Sequence, residues 1–149
     1  TDALPISSVN LDYTPLGNAI SQLETSLQYA ASDMVKNDLG LFEQLRNSVI
    51  QCFKFTYELS HKMLKRYLEA TAASPDEIDL QTLQNLIRIG NEKALLRSDW
   101  REWKAYRQAR TDSSHTYDKK KAEAVYQIAG DFLLEAQHLY QQLLERGGK

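Results

Sequence analysis

The sequence predicts an all-α fold, an antiparallel bundle of four main helices plus a short one. Glycine (6 residues) and proline (3 residues) are scarce, so long stretches contain no residue that breaks a helix. Apolar residues recur in those stretches at spacings of three and four, and no run alternates as a strand does. The length of 149 residues suits one domain. We therefore expect residues 1–149 to form a single helical domain with a loose tail at residues 1–12.

The first helix is predicted over residues 14–36. Thr14 is a plausible cap, because Pro15 suits the first position inside a helix. Apolar residues then recur at helical spacing as far as Met34. A break is predicted at residues 37–40, where the periodicity stops at a glycine.

The second helix is predicted over residues 41–72, and a short helix follows it. Apolar residues, Phe55 among them, cover a broad arc of the second helix, which is typical of a helix in the centre of a bundle. Ser74 before Pro75 is a start signal for the short helix. Gly90 is predicted to end it as the residue after the C-cap.

Two further helices are predicted in the last third of the chain. Ser98 is expected to cap the fourth helix, which runs to about Thr111 and places Trp103 in the core. The last helix is predicted to start near Asp118 and to fray at Gly147. The apolar faces of the second and last helices are satisfied either inside one protomer or in a homodimer, and we favour the homodimer.

The chain carries a formal net charge of −2, which disfavours a general nucleic-acid binder. The charge is unevenly spread, however. Residues 97–121 contain eight basic and four acidic side chains, so this segment is +4 and the remainder is −6. The composition therefore leaves room for a small, focused site for an anion.

Most functional signatures are absent from the sequence. A single cysteine excludes an intrachain disulfide, and no Cys/His metal cluster, phosphate-binding glycine loop or hydrolase motif occurs. We therefore predict no metal and no cofactor. No stretch approaches the roughly 20 apolar residues of a membrane span, and no secretory signal is visible. A cytoplasmic protein without membrane contact is expected.

One octapeptide, residues 110–117, concentrates chemically useful side chains. Arg110, His115 and Tyr117 bring a cation, an imidazole and a phenol together. Positions five apart on a helix differ by roughly 140°, so Arg110 and His115 converge only if the helix ends between them. Short polar residues at 112–114 favour such an end. The alternative is a capped turn whose Arg110 and His115 are merely solvated.

The helix before this octapeptide carries arginines and tryptophans on one face. Trp100, Trp103, Arg107 and Arg110 share that face by their spacing. Arginine with interleaved aromatic residues suits a phosphate backbone and unstacked bases. The alternative places the tryptophans in the core and the arginines on a solvated rim.

At this octapeptide the sequence resembles the HEPN superfamily. The mark of that superfamily is Arg-x4–6-His at the end of a helix in an all-α bundle. The closer resemblance is to the branch that pairs with minimal nucleotidyltransferases, which comprises substrate-binding-protein-like chains and HepT-type toxins. Its Arg-x4-His-x-Tyr motif corresponds to Arg110, His115 and Tyr117, and residues 114–118 resemble its SHTYD run.

Two upstream segments extend the resemblance to about residues 15–145. Residues 53–62 resemble the second-helix pattern F-x-x-x-[FY]-E-L-x-x-K of the branch, and residues 74–75 resemble the SP start of its short helix. Thr111 departs from the branch, which often has Asn or another strongly polar residue after the motif arginine.

The resemblance implies a toxin of a toxin–antitoxin pair, a metal-independent endoribonuclease formed at a homodimer interface. His115 would be the general acid and base, because its unperturbed pKa of about 6.5 serves both directions. Arg110 would hold the phosphate. Three side chains are expected to support them: Thr111, Ser114 and Glu58, the last orienting either His115 or Arg110. Three cations are expected to bind RNA: Arg107, Lys119 and Lys120.

The resemblance also implies a partner and a means of control. A cognate minimal nucleotidyltransferase would act as the antitoxin by transferring AMP to Tyr117, which would block the pocket by bulk and negative charge. The substrate would be RNA, with tRNA as one candidate. Two alternatives remain open, a non-catalytic substrate-binding subunit of a nucleotidyltransferase and a plain helical interaction module.

Overall fold

A computed structural model describes residues 11–79 and 81–147 of the chain. This part of the chain forms six α-helices and no strand. They are α1 (Thr14–Ala30), α2 (Leu39–Thr71), α3 (Pro75–Asp79), α4 (Leu83–Glu92), α5 (Trp100–Asp112) and α6 (Lys119–Glu145). The predicted all-α antiparallel bundle is confirmed, with α1, α2, α5 and α6 as its main helices. Most of the tail predicted at residues 1–12 lies outside the described residues.

Helix α2 lies in the centre of the bundle, as its broad apolar arc predicts. It packs against α1, α3, α4, α5 and α6. Its buried side chains include Val49, Phe53, Leu64 and Leu68. None of the helices in the described ranges is long and apolar enough to cross a membrane.

An aromatic cluster joins α2, α5 and α6 in the core. Phe132 of α6 lies at its centre, with ring centroids 5.2 Å from Phe53, 5.6 Å from Trp103 and 5.0 Å from Tyr106. Tyr57 stands 5.9 Å from Trp103. Trp103 is fully buried, so the structure confirms its place in the core and excludes it from stacking on a base. The packing of this cluster fixes the position of α5 against α2 and α6.

Helix α1 ends at Ala30, six residues before the predicted end. Ser32 adopts an extended backbone and its hydroxyl donates to the carbonyl of Tyr29, a local bond that competes with helix continuation. A 3₁₀ turn follows at Asp33–Val35. Met34, expected on the apolar stripe, is therefore 59% exposed.

The start of α1 also differs from the prediction. Tyr13 occupies the cap position, and the carboxylate of Asp12 accepts from the backbone N–H of Thr14. Thr14 is thus the first helical residue rather than the cap. Pro15 lies in the first turn, as predicted, because its missing N–H is not needed there.

The single short helix of the prediction is two helices, α3 and α4. Thr82 restarts the chain as a new cap, its hydroxyl accepting from the backbone N–H of Asn85. Gly90 lies inside α4 and does not end it. A Cβ atom at Gly90 would come within 3.0 Å of Leu96 and 3.2 Å of Leu64, so close packing explains the glycine.

Two predictions about the later helices need correction. The cap of α5 is Asp99 and not Ser98, because Asp99 and Glu102 bond to each other's backbone N–H groups in a reciprocal capping box. On α2, Phe55 does not widen the buried stripe, since it is 53% exposed. Asp118 caps α6, as the sequence predicts.

Candidate functional site

The predicted helix end between Arg110 and His115 is present. Helix α5 ends at Asp112, and the buried Ser113 hydroxyl donates to the carbonyl of Arg110 at 2.6 Å. The backbone N–H of His115 then bonds to the carbonyl of Asp112, and that of Asp118 to the carbonyl of His115. These short-range bonds turn the chain twice within six residues, which holds His115 between α5 and α6.

Arg110 forms an ion pair with Glu58 of α2. Its Nε and Nη2 atoms both donate to one carboxylate oxygen of Glu58, at 3.2 Å and 2.7 Å. Its Nη1 atom donates to the Ser114 hydroxyl at 3.4 Å. Of the two partners considered for Glu58, the structure therefore pairs it with Arg110. The guanidinium is held at two edges, and its Nη1 side keeps the capacity to bind an anion.

His115 is in contact with Tyr117. The ring nitrogen Nδ1 lies 3.1 Å from the Tyr117 hydroxyl, and the rings meet edge to face at 5.7 Å between centroids. Tyr117 is 82% exposed, so its hydroxyl is open to a partner protein. Within the described residues, the His115 ring makes no hydrogen bond to Arg110, so the two motif residues are neighbours along the turn without a direct bond.

An open groove of about 420 Å³ lies between α2 and α5 beside Arg110. It is lined by Tyr57, Glu58, His61, Leu83, Arg107, Arg110 and Thr111. Partial burial, with Lys65 and Arg107 nearby, lowers the pKa of His61 below its usual value. Burial raises the pKa of Tyr57, although Arg107 and Arg110 oppose the shift. At neutral pH the groove therefore offers a neutral imidazole and a protonated phenol beside two guanidinium groups.

The remaining predicted site residues lie around this end of the bundle. The Thr111 hydroxyl donates to the carbonyl of Arg107 at 3.3 Å, so its proton is engaged by the backbone. Lys119 and Lys120 are exposed in the first turn of α6, after Asp118. The Lys119 ammonium lies 3.9 Å from the Glu43 carboxylate. Because so long a surface ion pair is weak, Lys119 remains able to bind another anion. Their role in binding RNA stays a prediction.

Sequence reasoning did not single out Tyr57 or His61 as candidate binding residues. The signal was present, since positions 57, 58 and 61 fall on one face of a helix. Tyr57, however, entered only as part of the segment at residues 53–62, and His61 was expected in a groove or on the surface without a function. Only the packing of α5 against α2 brings Arg107 and Arg110 beside that face. In residues 11–79 and 81–147, no group of three or more potential ligands is placed to hold a metal ion.

The chain belongs to the family described as nucleotidyltransferase substrate binding protein like, whose sequence profile matches residues 11–145. The all-α bundle and the Arg110–His115–Tyr117 octapeptide lie wholly within the matched range.

Similarities to a named protein and to a solved structure, both from Haemophilus influenzae, illustrate this membership. The chain is 34% identical over 146 residues to a protein named probable ribonuclease HepT, covering 98% of this chain and 96% of that protein. It is also similar to a solved structure described as the fold of a substrate binding domain of a nucleotidyltransferase. That similarity has a TM-score of 0.80 at 36% identity, and covers 89% of this chain and 99% of the other.

Proposed function

We propose that this protein is a metal-independent endoribonuclease, the toxin of a toxin–antitoxin pair. The observation that carries the proposal is the end of α5, where Arg110 and His115 lie on consecutive turns. Glu58 and Ser114 hold the Arg110 guanidinium. The His115 ring contacts Tyr117 through Nδ1, which leaves its other nitrogen without a hydrogen bond in the described residues. The near full-length similarity to a protein named as a ribonuclease supports it. These residues are the ones that acid–base chemistry on a phosphodiester requires.

The chemistry follows from the two side chains. Neutral His115 removes the proton of a ribose 2′-hydroxyl, and the 2′-oxygen attacks the adjacent phosphorus. Arg110 stabilises the charge on the phosphate oxygens through its Nη1 side, with the Ser114 hydroxyl beside it. The bond to the 5′-oxygen breaks, and an imidazolium returns the proton to that oxygen. The products are a 2′,3′-cyclic phosphate and a 5′-hydroxyl, and DNA is not cleaved because it lacks the attacking group.

A second copy of the chain completes the site in this proposal. Exposed Phe55, half-buried Leu59 and the charged Lys62 form a surface strip on α2 beside Glu58. An exposed phenylalanine next to the proposed phosphate-binding arginine is typical of an interface between copies. Packing two such strips together would bring two Arg110–His115 sets to one cleft.

Control of the activity is proposed to run through Tyr117. A cognate nucleotidyltransferase would transfer AMP from ATP to the Tyr117 hydroxyl with release of pyrophosphate. Exposure of 82% lets the phenol reach another protein's active site. The same oxygen lies 3.1 Å from His115, so a phosphate on it would place negative charge against the catalytic imidazole. Substrate phosphate would then be excluded by repulsion and bulk.

A second candidate function is a non-catalytic subunit that presents substrate to a nucleotidyltransferase. The description of the similar solved structure supports it. On this alternative the octapeptide would bind a phosphate without breaking a bond.

Cleavage of RNA by the purified protein separates the two functions. Total RNA and tRNA are incubated with unmodified protein, with His115→Ala, and with His138→Ala as the matched control. His138 is a histidine of α6 whose ring contacts the Ala94 carbonyl, away from the octapeptide. We expect cleavage by wild type and His138→Ala, and a loss of at least about a hundredfold for His115→Ala. Intact RNA with a folded, unmodified wild-type protein would refute the ribonuclease.

The control mechanism has its own test. The nucleotidyltransferase partner and ATP are added, and intact mass is measured for wild type, Tyr117→Phe and Tyr29→Phe. Tyr29 is also exposed, at 51%, and lies on α1. We expect an AMP-sized gain and loss of cleavage for wild type and Tyr29→Phe, with neither change in Tyr117→Phe. A gain that persists in Tyr117→Phe would assign the modification to another residue.

A further inference from the structure

We propose that the groove between α2 and α5 is a second phosphate-binding subsite, which takes the phosphodiester next to the one held at Arg110. Its binding groups are His61, Tyr57 and Arg107. The subsite rests on the proposed ribonuclease function for its ligand, an RNA strand, and deepens that function by giving the strand a second anchor and a direction across the bundle.

The groove displays polar groups that have no partner in the described protein. Within residues 11–79 and 81–147, the Tyr57 hydroxyl, the His61 ring and the Arg107 guanidinium make no hydrogen bond or ion pair to another side chain or carbonyl. All three line the same open groove. Polar groups in a folded protein are ordinarily satisfied by protein, water or ligand. Three donor groups that converge on one groove are suited to the oxygens of a phosphate.

The charge of the groove favours an anion. Glu58, its one acidic lining residue, is already paired with Arg110, which leaves Arg107 as the uncompensated charge. Lys65 lies one turn beyond His61 on α2 and acts on it, although its ammonium is also 3.1 Å from Asp79. The wall from α4 is Leu83, which carries no charge. The positive charge that an anion in the groove meets therefore comes mainly from Arg107 of α5, with a smaller contribution from Lys65 of α2.

The spacing of the two arginines fits two consecutive phosphates. Arg107 and Arg110 are three residues apart on α5, so their Cβ atoms are about 5–6 Å apart on one face of the helix. Both arginines line the groove, but Arg110 is held by Glu58 and Ser114, whereas Arg107 has no such partner and lies near enough to His61 to act on its charge. A volume of about 420 Å³ accommodates one nucleotide unit, with Leu83 as an apolar wall for its sugar or base.

Nuclear magnetic resonance of the three histidines tests the subsite without any need for cleavage. Inorganic phosphate, and then an all-deoxy oligonucleotide that cannot be cleaved, are added to the wild-type protein while the histidine ring signals are titrated with pH. Because a bound phosphate favours the charged imidazole, we expect both ligands to raise the pKa of His61. His138 is the internal control and stays unchanged. A His61 pKa that moves with neither ligand would overturn the subsite.

A response to inorganic phosphate alone would assign the groove to a free anion and overturn the RNA subsite. The same titration with Arg107→Gln protein checks the mechanism. We expect the ligand-induced change at His61 to shrink, because the principal charge of the groove is gone. Arg101→Gln is the matched control on α5, since Arg101 lies at the other end of the helix and its side chain pairs with Glu102.

Steady-state cleavage then separates failure of the subsite from failure of the ribonuclease. We expect His61→Gln and Arg107→Gln each to raise KM about tenfold with kcat within about twofold, and Arg101→Gln to change neither. Cleavage by wild type with unchanged KM in both groove variants would refute the subsite and leave the ribonuclease standing. An inactive wild type whose His61 still responds to the oligonucleotide would refute the ribonuclease and support the groove as a strand-binding site.

Discussion

At the Arg110 guanidinium, a carboxylate already occupies two of the nitrogens that a phosphate could use. Glu58 therefore either positions the arginine or competes with its ligand. The two-nitrogen contact and the third bond to Ser114 favour positioning, since they fix the plane of the guanidinium. A fixed cation stabilises developing charge better than a mobile one, because no reorganisation is needed during the reaction.

Replacing Glu58 with glutamine tests that role. We expect Glu58→Gln to lower kcat about tenfold, because Arg110 loses its charged anchor. The free energy of unfolding should change by less than about 1 kcal/mol, because both partners are partly exposed. Kinetics and urea unfolding measure the two effects. The control is Glu69→Gln, which removes another carboxylate of α2, three turns away from Glu58. An equal loss of activity in this control would contradict a specific role for Glu58.

Glu135 is an ionisable group in the core, fully buried on α6. It accepts a hydrogen bond from the backbone N–H of Arg97 at 2.9 Å. Burial raises its pKa above the usual value of 4.5, although hydrogen bonding with the Ser98 side chain and the Arg97 amide opposes the shift. The folded state therefore holds the proton more tightly than the unfolded state, and the free energy of unfolding falls as pH rises above about 4.5.

The prediction is that Glu135→Gln removes this pH dependence. Glutamine keeps the acceptor for Arg97 but carries no charge to bury, so the variant gains stability relative to wild type as pH rises from 4.5 toward neutrality. Urea unfolding of both proteins at several pH values measures the difference. Parallel curves for the two proteins would show that Glu135 is not the group responsible.

Among the helices, α5 supplies both arginines of the site, and a capping box defines its start. Its capping box satisfies backbone N–H groups at the N-terminus. The middle of the helix packs into the aromatic cluster around Phe132. The position of α5 against α2 is therefore fixed, and with it the positions of Arg107 and Arg110. Fraying of its first turn would leave the cluster in place. We therefore expect loss of the cap to lower the stability of the protein without changing the site.

The change Asp99→Ala tests this separation. Loss of the cap is expected to lower the free energy of unfolding by about 1 kcal/mol. Cleavage by the protein that remains folded should be unchanged, because Arg110 lies three turns away. Thermal unfolding and cleavage assays check the two halves. Lys104→Ala, in an exposed position of α5, is the control, and a similar loss of stability in it would assign the effect to side-chain removal rather than to capping.

At the scale of the whole molecule, the proposed site requires two copies of the chain. The strip around Phe55 lies on the central helix, next to Glu58 and within reach of the Arg110 side of the bundle. In the proposed function a second copy covers this phenylalanine and completes the site. The proposal links dimer formation to ribonuclease activity, so one substitution at the strip tests both.

We expect Phe55→Glu to convert a dimer to a monomer and to reduce cleavage at least about tenfold. A buried charge at the interface costs more than the apolar contact it replaces. Leu134→Glu on α6 is the matched control, because Leu134 is 49% exposed against 53% for Phe55. Sedimentation velocity and cleavage assays are measured on the same samples. A wild-type monomer that cleaves RNA would refute the two-copy site.

Local patterns predicted the parts of this protein that short-range forces control. The helical periodicity, the cap at Asp118 and the helix end between Arg110 and His115 all depend on residues within a few positions of one another. The same patterns assigned the cap of α5 to Ser98 instead of its neighbour Asp99, because either side chain can accept the N–H groups and only the backbone path selects one.

Tertiary packing decided what those patterns left open. The Arg110–Glu58 pair joins residues 52 positions apart, and the groove at His61 exists only because α5 crosses the 57–61 face of α2. Packing also turned Phe55 outward, although its spacing suits a buried stripe. The rotation of one helix against another depends on the shapes of all the side chains between them, and no local preference encodes it.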